Sequence, residues 1–246
     1  MDGRPLVDRS PWNYLDTGND MAVAAMNVEQ ARFNMIQQQI RPWDVFDPEV
    51  LALLALIRRE DFVPDEYKDL AFADVEIPLK ANAKPSQTML SPRMEARLLQ
   101  ELAIRDTDKV LEVGTGSGYM TALLAVQAES VYSVEIDPEL VELARRNLKR
   151  AGFTNVSVDL GDGSQKWDLY APYDAIVICA SLPFLPETLL RQLKVGGRLV
   201  AIVGEAPIME AQLIRRTDEN AFSTVNLFET VVAPLINAKA LKKFVF

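Results

Sequence analysis

Apolar residues recur with two different periods along this chain, and the two alternate. From Asn27, the residues Ala31, Met35, Ile36 and Ile40 repeat at helical spacing until Pro42. Asp47-Pro48 opens a second predicted helix, with Asp47 as cap and Pro48 at its first position, carrying Val50, Leu51, Leu53, Leu54 and Ile57. Asp74 to Leu79 alternates as a short strand would, and Lys80 to Pro92 reads as a long polar loop ahead of a helix over 93–102. Beyond it, apolar strand-like runs at 110–113, 131–134, 156–160, 175–180 and 198–203 are mostly separated by helical patterns over 119–126, 138–151 and 186–193. Strands joined through helices run parallel. Ala211 to Arg216 and Phe222 to Ala233, about the polar turn Asp218-Glu219-Asn220, predict an antiparallel hairpin. The expected architecture is α/β: a mostly parallel seven-stranded sheet with a C-terminal antiparallel hairpin and an N-terminal helical addition. Residues 1–25 are polar, hold Gly3, Pro5, Pro11 and Gly18, and read as a flexible leader.

Composition narrows the chemistry. The 246 residues carry a net charge of −9, which argues against a nucleic-acid partner, since neutralising phosphates needs a basic face. The basic cluster Arg145, Arg146, Lys149 and Arg150 falls at a helix C-terminus and reads as a solvated face. No apolar run is long enough to span a membrane, and the N-terminus lacks the pattern of a signal peptide. A single cysteine excludes an internal disulfide framework and fits a reducing cytoplasm; Cys179 lies in an apolar run and reads as core rather than nucleophile. The sequence contains no histidine, which removes imidazole acid–base chemistry, Ser-His-Asp triads and His-ligated metals.

The informative stretch is Val110-Leu111-Glu112-Val113-Gly114-Thr115-Gly116-Ser117-Gly118-Tyr119. A buried strand runs into a glycine-rich turn, and a helix follows that Thr115 or Ser117 could cap, with Leu123, Leu124 and Val126 on its apolar face. Dinucleotide sites place G-x-G-x-x-G here for a pyrophosphate. This pattern is E-x-G-x-G-x-G, and an acid before the glycines suits a ligand with a cationic end, such as S-adenosylmethionine, with its ammonium and sulfonium. A glycine turn without a ligand is the alternative. Glu135 closes the next strand ahead of Ile136, about 20 residues on, where a carboxylate can accept ribose hydroxyls. Asp162, between Gly161 and Gly163, stands where it could accept an adenine amino group, or could simply form a turn.

This order of motifs resembles the class I S-adenosylmethionine-dependent methyltransferases. Further blocks resemble protein-L-isoaspartate O-methyltransferases: Ile36-Gln37-Gln38-Gln39-Ile40-Arg41, Asp47-Pro48-Glu49-Val50-Leu51, Phe62-Val63-Pro64, Leu70-Ala71-Phe72-Ala73-Asp74, Ile77-Pro78-Leu79, Ser86-Gln87-Thr88, Tyr173-Asp174-Ala175-Ile176 and Gly196-Gly197-Arg198-Leu199-Val200. The resemblance covers roughly residues 28–236. It implies a Rossmann-like fold and methylation of isoaspartyl carboxylates in damaged proteins, with S-adenosylhomocysteine as the cofactor product. Residues 26–102 would form a helical and substrate-loop region, and 103–246 the cofactor-binding core. The implied cofactor contacts are Glu112, Gly114, Thr115, Gly116, Ser117, Gly118, Glu135, Ile136, Asp162, Gly163 and Ala180, with Thr88 and Ser91 beside the reacting carboxylate. One departure stands out. The family loop reads Gln-Thr-Ile-Ser-x-Pro, whereas Gln87-Thr88-Met89-Leu90-Ser91-Pro92 puts Leu90 in the serine place. Leucine donates no hydrogen bond, so weak isoaspartyl activity is one expectation. A different small-molecule or protein substrate, or cofactor binding without isoaspartyl activity, are the others.

Overall fold

The structure is a computed structural model and describes residues 27–239; the expected leader over 1–25 lies outside them. Residues 27–43 are helical. Helix α1 over 27–34 passes into a π-helix at Met35–Ile40 and a 3-10 turn at Arg41–Trp43, which Pro42 enters near its start. Helix α2 spans Pro48–Leu56, and Asp47 caps it as expected, accepting from Glu49 N at 2.8 Å and Val50 N at 3.4 Å. Helix α3 covers Pro92–Leu102, α4 Tyr119–Gln127, α5 Pro138–Arg150 and α6 Glu187–Leu190.

The main sheet has seven strands in the order β5-β4-β3-β6-β7-β8-β9. These are β3 (Lys109–Val113), β4 (Ser130–Glu135), β5 (Val156–Leu160), β6 (Tyr173–Leu182), β7 (Leu193–Glu205), β8 (Ile208–Asp218) and β9 (Ala221–Thr230). The first five are parallel, and β8 and β9 join as an antiparallel meander. One face packs Val110, Val131, Ala175 and Val200 against α2 to α5. The other packs Leu111, Val113, Ile176 and Leu199 against α6 and the irregular segment around Trp167 and Tyr170. Alternate strand residues thus serve two cores, which is why these runs are apolar without interruption.

Several boundaries differ from the sequence expectation, each for a tertiary reason. The polar loop over 80–92 contains β2 (Thr88–Met89), which pairs antiparallel with β1 (Ile77–Pro78), all that remains of the strand expected from Asp74. Leu79 N bonds Gln87 O at 3.0 Å and closes this small hairpin. The helix expected over 186–193 stops at Leu190, because buried Leu193 pairs with Tyr173 at the start of β7. Val126, placed on the buried face of α4, is 43% exposed, since α4 packs mainly through Leu123 and Leu124. The second strand of the hairpin ends at Thr230, and the chain then turns back over the sheet.

Arg198 ties α3 to the sheet. It is 5% exposed and donates to the α3 carbonyls of Leu102 (2.6 Å) and Ala103 (2.7 Å) and to Asp108 Oδ2 (2.5 Å). The last carbonyls of a helix lack intrahelical partners, and this guanidinium satisfies two of them. Removing one partner leaves Asp108 as an uncompensated buried charge. Arg198→Met is expected to lower unfolding free energy by about 3–5 kcal/mol in urea titration; a change under 1 kcal/mol would show the pair to be dispensable.

Candidate active site

The C-terminal ends of β3, β4 and β6 meet at one cleft, the place where an open α/β sheet offers room for a ligand. After Val113 the chain turns through Gly114, Gly116 and Gly118, at φ of +92°, +56° and +84°. Side chains rarely tolerate such angles. A Cβ at Gly118 would also stand 3.2 Å from Leu148 Cγ on α5, so α5 can lie against this turn only because position 118 is bare. Gly118 itself is the N-cap of α4, with no side-chain cap. Neither Thr115 nor Ser117 caps that helix, contrary to expectation. The Thr115 hydroxyl is drawn to Ser133 Oγ, and Ser117 is buried with its carbonyl held by Asn147 Nδ2 at 2.9 Å.

Two acids flank the turn. Glu112 is fully buried and accepts from the hydroxyls of Thr121 and Ser133, with the Cys179 thiol 3.6 Å away. Burial pushes its carboxyl up to about 7, although the two hydroxyls and the thiol oppose the rise. Glu135, 7% exposed, accepts Gly116 N at 3.0 Å on one oxygen, and Ile136 N (2.9 Å) and Asp137 N (3.0 Å) on the other. Backbone donors therefore fix its orientation, and a carboxylate retains lone-pair capacity beyond three donors.

Three adjoining hollows run along the cleft. The first is lined by Glu112, Glu95, Leu90, Thr88 and the turn from Gly114 to Ser117. The second brings Thr88 and Gln87 opposite Glu135, Ile136, Cys179 and Ala180. The third holds Glu135 and Ile136 with Gly161, Asp162 and Gly163. The cleft thus gathers Glu112, Gly114, Thr115, Gly116, Ser117, Glu135, Ile136, Asp162, Gly163, Ala180 and Thr88. Gly118 and Ser91 line none of these hollows. Ser91 starts α3 and is nearly buried, and its carbonyl accepts from Met94 N and Glu95 N. Thr88, a second hydroxyl of the loop, donates to Glu76 Oε2 at 2.9 Å. Leu90 reaches the first hollow, and its carbonyl accepts from buried Arg59 Nη2 at 2.7 Å.

Asp162 does more than form a turn. Its Oδ1 accepts Ser164 N at 2.9 Å and its Oδ2 accepts Asn237 Nδ2 at 2.9 Å. Partial burial works to raise its pKa, but these donors outweigh it and hold the carboxyl below its usual range. Gly163 is bare for packing, because a Cβ there would meet Val134 Cγ1 at 2.7 Å and Val113 Cγ1 at 2.9 Å.

Sequence reasoning missed three parts of the site. The segment after β9 returns across the sheet end: Ser181 N bonds Ala233 O at 3.0 Å and Leu235 N bonds Ser181 O at 2.8 Å. Pro234, Leu235 and Ile236 thereby line the second hollow, and no local pattern announced this. Glu95 was legible, since it shares a helical face with buried Leu98, Leu99 and Leu102 and so had to be a buried carboxylate. Cys179, read as core, is only partly buried and lines two hollows. The pairing of β6 with β7 breaks between Val177 and Ser181, and this irregularity falls where Cys179 and Ala180 meet the cleft.

Comparison with known proteins agrees with this fold. The profile of the protein-L-isoaspartate(D-aspartate) O-methyltransferase family matches residues 30–240. A protein-L-isoaspartate O-methyltransferase of Pelobacter propionicus is 39% identical over 214 residues, 87% of this chain and 93% of that protein. One from Methanoculleus marisnigri is 42% identical over 206 residues, 83% of this chain and 91% of that protein. Among solved structures, a protein-L-isoaspartate O-methyltransferase superposes with a TM-score of 0.71 at 24% identity, over 84% of this chain and 65% of that one. A Plasmodium falciparum protein named as a beta-aspartate methyltransferase, in complex with S-adenosyl-L-homocysteine, superposes at 0.68 with 20% identity, over 84% of this chain and 97% of that one. These two structures share the seven-stranded Rossmann-like fold of the class I methyltransferases.

Cys179 offers a direct probe of the cleft. Burial, with Glu112 beside it, pushes the thiol well above its usual pKa. Only the thiolate is nucleophilic, so iodoacetamide at pH 7.5 should modify this sole cysteine at least about tenfold more slowly than free cysteine. Modification at the rate of the free amino acid would mean that the carboxylates do not surround it as described.

Proposed function

The chain belongs to the protein-L-isoaspartate(D-aspartate) O-methyltransferase family, and on that premise we propose which of its residues carry the transfer of a methyl group to an isoaspartyl carboxylate. It is an S-adenosylmethionine-dependent O-methyltransferase. Family membership favours the repair substrate over the small-molecule and non-catalytic alternatives left open by Leu90. The substrate in this reading is an isoaspartyl segment of a damaged protein or peptide, and the composition supports a cytoplasmic setting. No helix among the described residues is long and apolar enough to cross a membrane.

The observation that carries the residue assignment is the pair of buried acids on either side of one glycine turn. Among the described residues Glu112 has no cation as a hydrogen-bond partner, and it lines the first hollow, which suits the ammonium end of the cofactor. Glu135, already aligned by three backbone N–H groups, suits the ribose, and Asp162 with Gly163 and Ile136 suits the adenine. When bound, the cofactor supplies an electrophilic methyl on a sulfonium. Every other requirement falls to the chain. The acceptor carboxylate, with a pKa near ~4, is already ionised at neutral pH and needs no general base. The absence of histidine is therefore no obstacle. Orientation is the main task, and effects of this kind can reach about 7–11 kcal/mol. Thr88 lines both the first and second hollows, and we assign its hydroxyl, turned from Glu76 to the substrate, to hold one oxygen of the acceptor. Leu79, Leu235 and Ile236 are apolar walls that keep water from the second hollow. In this reading residues 26–102 supply the acceptor side and 103–246 the cofactor side, with 1–25 ahead of both.

Transfer of labelled methyl from S-adenosylmethionine to an isoaspartyl peptide, beside its aspartyl twin, tests the assignment. Methyl ester on the isoaspartyl peptide alone is the expected outcome. Equal labelling of both peptides, or labelling of neither, would contradict it.

A further inference from the structure

The mechanism above uses Glu112 but not the buried pair beside it. Glu95 lines the same first hollow from α3 and is 3% exposed. Arg59, fully buried in the 3-10 turn Arg59–Asp61, donates through Nη1 to Glu95 Oε2 and through Nη2 to the Leu90 carbonyl. Its guanidinium lies 5.2 Å from the centroid of the Tyr119 ring. The charged and titratable groups around this hollow are therefore Arg59, Glu95 on α3, Glu112 on β3, Tyr119 on α4, Glu135 at the end of β4 and Cys179 on β6. Arg32 and Glu60 pair with each other, and their charges also act on Tyr119.

Among these groups two can exchange a proton near neutrality. Burial keeps the Tyr119 hydroxyl and the Cys179 thiol protonated. Glu135 is satisfied by backbone donors. That leaves two buried carboxylates and a single guanidinium, which is bonded to only one of them. A buried carboxylate without a cation takes up a proton rather than carry a bare charge. We infer, resting on the cofactor assignment above, that Glu95 and Glu112 hold one proton between them in the cofactor-free protein and release it to solvent when the cofactor's α-ammonium arrives, so that cofactor binding is coupled to proton release. The geometry is supported by the titration behaviour, since burial pushes each carboxyl up to about 7. Glu95 acts here as a positioning and charge-balancing group.

The sign follows from linkage. An ammonium beside the pair favours its ionised form, so the bound state carries fewer protons, and affinity must rise with pH up to the cofactor-free pKa near 7. A group that titrates near 7 when free and well below 6 when bound gives about a tenfold gain in affinity between pH 6 and pH 8.

Calorimetry with S-adenosylhomocysteine on the full chain tests this. At pH 7 the binding heat should differ between phosphate and Tris by the ionisation heat of about half a proton or more, and Kd should fall about tenfold from pH 6 to pH 8. Methylthioadenosine, which lacks the amino-acid end, should bind with no buffer dependence. Glu95→Gln should still bind S-adenosylhomocysteine, with a flatter pH profile and less proton release; a purely structural Glu95 would leave both unchanged. Heats independent of buffer together with a flat profile in the wild type would overturn the coupling while leaving the cofactor assignment intact. Equal proton release with methylthioadenosine would overturn it by placing the proton elsewhere. Absence of binding at every pH would remove the cofactor assignment and the coupling with it.

Discussion

The structure depends on a close approach. The chain leaves β3 and must reach α4 through three residues of left-handed backbone, at Gly114, Gly116 and Gly118. With no side chain at position 118, Leu148 and Ala144 of α5 press directly against the turn. The β3–β4 ladder, paired as far as Val113 and Val134, brings Glu135 beside this turn, where its carboxylate accepts the amide of Gly116. Glu112, on β3 just ahead of the turn, is buried where hydroxyls and a thiol reach it. Turn and ladder together place both acids, and the cleft is defined between them.

Because the cleft lies between two buried acids, its electrostatics are set by burial more than by surface charge. The chain's net charge of −9 has little bearing on it. Glu112 and Glu95 are pushed toward neutrality by burial, while Asp162 is pulled the other way by an amide and a backbone N–H. The cleft is therefore graded along its length, with carboxyls that exchange protons at one end and a fixed negative charge at the other. A ligand with a cation at one end and a hydrogen-bond donor at the other matches that gradient.

Much of this was legible in the sequence. Uninterrupted runs such as Val110 to Val113 and Ala175 to Ala180 announced strands buried on both faces, and the glycines with Glu112 and Glu135 announced the cleft. Caps such as Asp47 were legible because they act within three residues of themselves. What failed was non-local. The β2 half of the β1–β2 hairpin looked like loop, because its pairing depends on Leu79 meeting Gln87 across polar residues. The expected cap Thr115 was diverted to Ser133 on β4, and Ser117 is buried with its backbone carbonyl held by Asn147 on α5. The returning segment at Pro234 to Ile236 carries no local signal, since its role comes from contact with Ser181 on β6. Leu90 takes the serine place of the family loop by counting along the sequence, but its backbone bond to Arg59 could not be read from position alone.

In the proposed assignment one ligand spans the cleft from Glu112 to Asp162, with Glu135 between. A crystal structure of the protein with bound S-adenosylhomocysteine tests this most directly. The amino-acid end is expected in the hollow of Glu112 and Glu95, the ribose hydroxyls on Glu135, and the adenine between Asp162 and the segment Leu235-Ile236. A ligand lying in the reverse direction, or bound away from the glycine turn, would contradict it.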